Sequence, residues 1–76
     1  MMNFESRATI ETNGMPLTFN KWEKGGKRRI YINDYKRRTL GYIDMISGEF
    51  TKIDGQGRTN DEISAAIESF KSQYTF

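Results

Sequence analysis

Polar and apolar positions follow a period of two through most of this chain and a helical period in its last quarter. From Phe4 to Thr12 the residues Phe4, Ser6, Ala8 and Ile10 alternate with Glu5, Arg7, Thr9 and Glu11. Alternation sends successive side chains to opposite faces of a pleat, so a strand with one wet face is expected here. Asn13-Gly14 follows, a dipeptide suited to a type I′ turn because both central residues need positive φ, and it predicts a hairpin. The returning arm has Met15, Leu17 and Phe19 on one face, with Pro16 near its start, where a missing donor does least harm. Beyond Phe19 the phase slips. Trp22 falls on the opposite face unless a bulge intervenes, so either the strand bends or the indole points away from the core.

Gly25-Gly26 is the next break, and Lys27 to Asn33 resumes the alternation with Ile30 and Ile32 facing in and Arg29, Tyr31 and Asn33 facing out. A polar loop from Asp34 to Arg37 leads to a strand through Leu40, Gly41, Tyr42 and Ile43. Gly41 is read as a bulge or a close backbone approach, which leaves open whether Tyr42 or Ile43 faces inward. Met45-Ile46-Ser47-Gly48 reads as a hairpin loop with Gly48 as its left-handed residue, and Phe50 to Ile53 as the returning arm. After the loop from Asp54 to Arg58, Thr59-Asn60-Asp61-Glu62 has the spacing of a capping box. Ile63, Ala66, Ile67, Phe70 and Tyr74 then form one apolar stripe on a helix from about residue 60 to 74, with Glu68, Lys71 and Gln73 in water.

The pattern predicts an α+β fold over residues 1–76 as one domain: a small antiparallel β-meander of about four or five strands, packed on one face by a single C-terminal α-helix. The opposite sheet face should then be left open to solvent. With 76 residues and 36% hydrophobic content, the core must be thin. Cysteine is absent, so neither disulfides nor thiolate metal sites add stability, and histidine is absent, which removes the commonest general base and metal ligand. No apolar run approaches the roughly 18 residues of a membrane span, and MMNFESRATIET lacks a leader's apolar region, so a cytoplasmic protein is expected.

Charge sharpens the picture. Between Lys21 and Arg38 lie eight of the twelve Lys and Arg, against Glu23 and Asp34 alone, a local charge of about +6 within a net charge of +2. Trp22, Tyr31 and Tyr35 are interleaved among them. The candidate contact residues are Lys21, Trp22, Lys24, Lys27, Arg28, Arg29, Tyr31, Asn33, Tyr35, Lys36, Arg37 and Arg38. Arginine bonds phosphate or guanine bidentately, Tyr and Trp stack on bases, and Asn33 can read an adenine edge. Lysines and arginines that merely solubilise a sheet and discourage edge pairing explain the same charge.

Other motifs carry less. Gly55-x-Gly57 precedes a helix, where backbone N–H groups can hold phosphate, but its third glycine is replaced by Asn60 and a plain turn accounts for it. Asp44, Glu49 and Asp54, with Lys52 nearby, have the composition of a divalent-metal site, and hairpin loops explain them equally. The order of a basic three-stranded region and a helix, Lys27 to Tyr74, is similar in topology to the arm-type DNA-binding domains of tyrosine recombinases and to plant AP2 domains. That resemblance implies a sheet face lying in the DNA major groove, with Arg29, Tyr31, Asn33 and Lys36 to Arg38 near bases and phosphates. The hairpin from Phe4 to Phe19 departs from the pattern.

The expected activity is binding and not catalysis, without cofactor or metal. The partner is a nucleic acid, DNA more than RNA, engaged by the basic aromatic face. The alternative is an acidic protein surface, as for a small phage or mobile-element protein that inhibits a host complex. No membrane is implied, and the chain is expected to be a monomer or weak dimer.

Overall fold

A computed structural model describes residues 1–12 and 14–76. Among these, strands β1 (Met2–Asn3), β2 (Arg7–Thr12), β3 (Met15–Lys24), β4 (Lys27–Asn33), β5 (Thr39–Asp44) and β6 (Phe50–Lys52) precede helix α1 (Asn60–Gln73), and β7 (Tyr74–Thr75) follows it. The sheet β2-β3-β4-β5-β6 is antiparallel in sequence order, and α1 packs on one of its faces. This is the α+β meander that the two periods predict. None of the described helices is long and apolar enough to cross a membrane.

The turns set the register. Thr12 faces Met15, and Gly14 stands at φ 72°. The type I′ assignment also involves Asn13, which lies outside the described residues. Lys24 faces Lys27 across Gly25 and Gly26, whose φ of 59° and 80° lie in the left-handed region a type I′ turn needs at both positions. Gly48, at φ 77°, takes its expected place in the loop between β5 and β6.

Buried residues of four strands point to the helix side. Ala8 and Ile10 of β2, Leu17 and Phe19 of β3, Ile30 and Ile32 of β4, and Leu40 and Ile43 of β5 meet Ile63, Ala66, Ile67 and Phe70 of α1. Phe19 and Phe70 stack with ring centres 4.3 Å apart and planes 6° from parallel, which pins the helix against β3. At its start, Thr59 Oγ1 accepts the Glu62 N–H and a Glu62 carboxylate oxygen accepts the Thr59 N–H, so the capping box is complete. Glu68, Lys71 and Gln73 are exposed, as the stripe requires.

Three boundaries differ from the sequence reading. The first long strand begins at Arg7, because Phe4 leaves the sheet: its N–H donates to the Thr75 carbonyl at 2.8 Å, and its ring meets Phe70 edge-on at 5.0 Å. The last arm ends at Lys52, since the N–H groups of Ile53 and Asp54 both turn to the Leu40 carbonyl. The helix ends at Gln73, and Tyr74 begins β7, which pairs in parallel with β1. Four residues joined by a short ladder between distant segments leave no periodic signal.

The slip at Trp22 and the ambiguity at Gly41 both resolve. β3 runs its ten residues without a bulge, so Trp22 keeps strand phase and points away from the core. The bulge lies instead between β4 and β5, where Ile32 faces Gly41 while Asn33 faces Thr39, making Leu40 the extra residue. Gly41 is also a close approach. A Cβ there would collide with the Thr51 carbonyl oxygen and sit 2.7 Å from the Phe50 ring. Ile43 therefore faces the core and Tyr42 the open side.

Candidate nucleic-acid interface

Pairing across the strands builds the open face row by row. One row is Arg7, Asn20, Tyr31, Tyr42 and Thr51; the next toward the Gly25-Gly26 turn is Trp22, Arg29 and Asp44; Lys24 and Lys27 follow. In the other direction lie Thr18 and Asn33. All of these residues are half-buried or exposed, in contrast with the opposite face.

An aromatic cluster occupies its centre. Trp22 meets Tyr31 edge-to-face at 5.7 Å, and Tyr31 meets Tyr42 at 5.5 Å. Arg29 lies across them: its guanidinium is 4.2 Å from the centre of the Tyr42 ring and 5.7 Å from Trp22, and Nη1 donates to the Tyr31 hydroxyl at 3.0 Å. The hydrogen bond with Tyr31 raises the Arg29 pKa against partial desolvation, with Tyr42 and Asp44 adding to it, so the group stays a cation. Cross-strand aromatic pairs and a stacked arginine are what an uncovered sheet face needs to remain ordered in water.

A second feature lies at the other end of the face. Arg7, Thr18, Asn20, Asn33, Asp34 and Arg37 line a concavity of about 380 Å³. Asn33, one of its lining residues, has a buried Oδ1 without a hydrogen-bond partner among the described residues. Asp34 organises the adjacent loop. One of its oxygens accepts the N–H groups of Lys36 and Arg38, the other the Arg38 Nε, all within 2.9 Å. Burial pushes its carboxyl up, and these bonds from Arg38 and Lys36 outweigh that and hold it below the ordinary value. The loop they brace bonds Arg37 N–H to Asp34 O and Asp34 N–H to Arg38 O, a turn closed by Arg37 at φ 64°. Glycine is the residue that suits such a position, and an L side chain there costs about 1–2 kcal/mol.

The structure thus divides the expected contact residues. Trp22, Lys24, Lys27, Arg29, Tyr31 and Asn33 share the open face, and Arg37 borders it from the loop. Lys21 and Arg28 do not. Each is in phase with a core position, Lys21 facing Ile30 and Arg28 next but one to it, and both approach one Glu23 oxygen at 3.1 and 3.7 Å. Arg38 is held by Asp34 on the side of a separate concavity that it shares with Tyr35 and Arg58. Lys36 lies 5.7 Å from the Tyr35 ring, both of them exposed on the loop. The pleat separates neighbours that a charge count adds together.

The alternation puts Arg7 on the wet face of its strand, but the sequence does not join Arg7, Asn20 and Tyr42 to the contact set, although two hairpins with two-residue turns imply the row that holds the first two. The three carboxylates of the supposed metal site do not gather: among the described residues no group of three metal-ligating acids forms. Asp44 accepts the N–H groups of Ile46 and Ser47, and Asp54 that of Gln56, the work of loop acceptors. Gly55 and Gly57 belong to a turn in which the Arg58 N–H meets the Gly55 carbonyl. Comparison with known protein families, curated proteins and solved structures finds no match for this chain. The likeness to recombinase-arm and AP2 domains stands on element order alone.

Proposed function

We propose that this chain is a small nucleic-acid-binding protein that uses the open face of its sheet and performs no catalysis. The observation that supports the reading is the joining of an aromatic cluster, Trp22, Tyr31 and Tyr42, to cations within it and at both ends: Arg29 over the rings, Lys24 and Lys27 beyond one end, Arg7 and Arg37 at the other. Rings supply stacking surface and the cations supply phosphate contacts that release counterions, the two terms from which affinity for nucleic acid is built.

Trp22 is the only tryptophan, so its emission reports on the face directly. Titration with a labelled oligonucleotide should quench it, with an affinity that falls steeply between about 50 and 200 mM salt. Absence of binding at the lower salt, or binding indifferent to salt, overturns the proposal.

A further inference from the structure

Arg29 lies flat. It covers Tyr42 and donates to Tyr31 instead of projecting from the sheet, so the face offers rings and one flat-lying guanidinium and not a row of protruding arginines and asparagines. Reading the edges of paired bases in a major groove needs side chains that reach into it. A platform of aromatic faces has another complement, the faces of bases, and these are available only when the strand is unpaired. At the far end of the same face, two arginines from different elements, Arg7 and Arg37, line one concavity with the amides of Asn20 and Asn33, the Thr18 hydroxyl and Asp34, whose carboxylate is paired with Arg38. The arginines, amides and hydroxyl suit a phosphodiester: guanidinium forks for its oxygens and neutral donors beside them. Arg37 borders the concavity from a backbone conformation that glycine would relieve.

Resting on the nucleic-acid reading above, we infer that the ligand is a single strand, whose bases stack on Trp22 and on the Arg29 guanidinium that covers Tyr42, while a backbone phosphate lies between Arg7 and Arg37. Along β3, Thr18 on the concavity is four residues from Trp22, about 13 Å, with Asn20 between them, so one strand running along the sheet reaches both.

The test uses the whole chain, a labelled oligothymidylate of about fifteen nucleotides and a duplex of the same length, at about 50 mM salt. The single strand should bind at least about tenfold more tightly. Equal or tighter binding of the duplex overturns this inference and leaves the proposed function standing; binding of neither overturns both. Trp22→Ala should weaken the single-strand complex by roughly 5- to 150-fold and Trp22→Phe should restore much of it, since a ring remains. Arg37→Gly should raise the melting temperature while lowering the slope of log affinity against log salt by about 0.7. If Arg37→Gly leaves that slope unchanged, the phosphate subsite is wrong even if the stacking platform is right.

Discussion

The ring of Phe50 occupies the space that a side chain on Gly41 would fill, on the strand next to it in the sheet. Two requirements meet at this point. Gly41 lies where Leu40 is extruded from the ladder, and the missing side chain lets β6 close over β5 with Phe50 packed against the core. Glycine weakens a strand unless something lies over its bare backbone, and here an aromatic ring does.

Gly41→Ala should therefore be among the most damaging single-atom-scale changes in the chain. Its Cβ meets the Thr51 carbonyl, which belongs to the ladder and cannot swing aside. A loss of about 1–3 kcal/mol is expected in urea denaturation, and a stability unchanged within error would contradict the close approach.

Acid should act through Asp34. Its pKa is lowered by folding, so its contribution is complete above the ordinary carboxylate value of 3.8 and is lost as the pH falls through the lower folded value. Asp34→Ala should cost about 1–3 kcal/mol at pH 7 by leaving the Lys36 and Arg38 N–H groups without their acceptor. Denaturation curves of the two proteins should converge at strongly acid pH.

The complete capping box gives a simple expectation for the helix. Thr59→Ala removes the acceptor of the Glu62 N–H and should lower stability by about 0.5–2 kcal/mol. Thermal unfolding followed by circular dichroism checks it; a melting temperature that does not move would show that the cap contributes nothing.

Charges on the two sides of the sheet should behave differently. Removing Lys24 or Lys27, which lie beyond the Trp22 row on the open face, should each reduce the salt dependence of oligonucleotide binding by about one phosphate contact. Lys21→Ala should leave it nearly unchanged, because Lys21 lies on the helix side beside Glu23. Equal effects at the three positions would mean that the ligand does not select one face.

Much of this is legible in the order of residues alone. Alternation placed Leu17, Phe19, Ile30 and Ile32 inside and Arg29, Tyr31 and Asn33 outside, and the capping box fixed the start of α1. Strand phase also held the answer for Trp22. What stayed hidden depended on pairing across distance. Arg7 and Asn20 join the Tyr31 row only through the registers of two hairpins, and Tyr42 only through the bulge at Leu40. Phe4 continued an alternating pattern that its strand does not use, since its partners, Phe70 and Thr75, are at the other end of the chain.

The ladder between β1 and β7 sets a sequence of events in folding. In the larger sheet every strand lies beside its successor, so each pairing closes a short loop and can form early. Asn3 and Thr75 join positions 72 residues apart, a closure that becomes affordable only after α1 has docked. The latch should thus be the last part to shut and the first to open, and its amides should exchange with solvent while those of Ile30 and Ile32 remain protected.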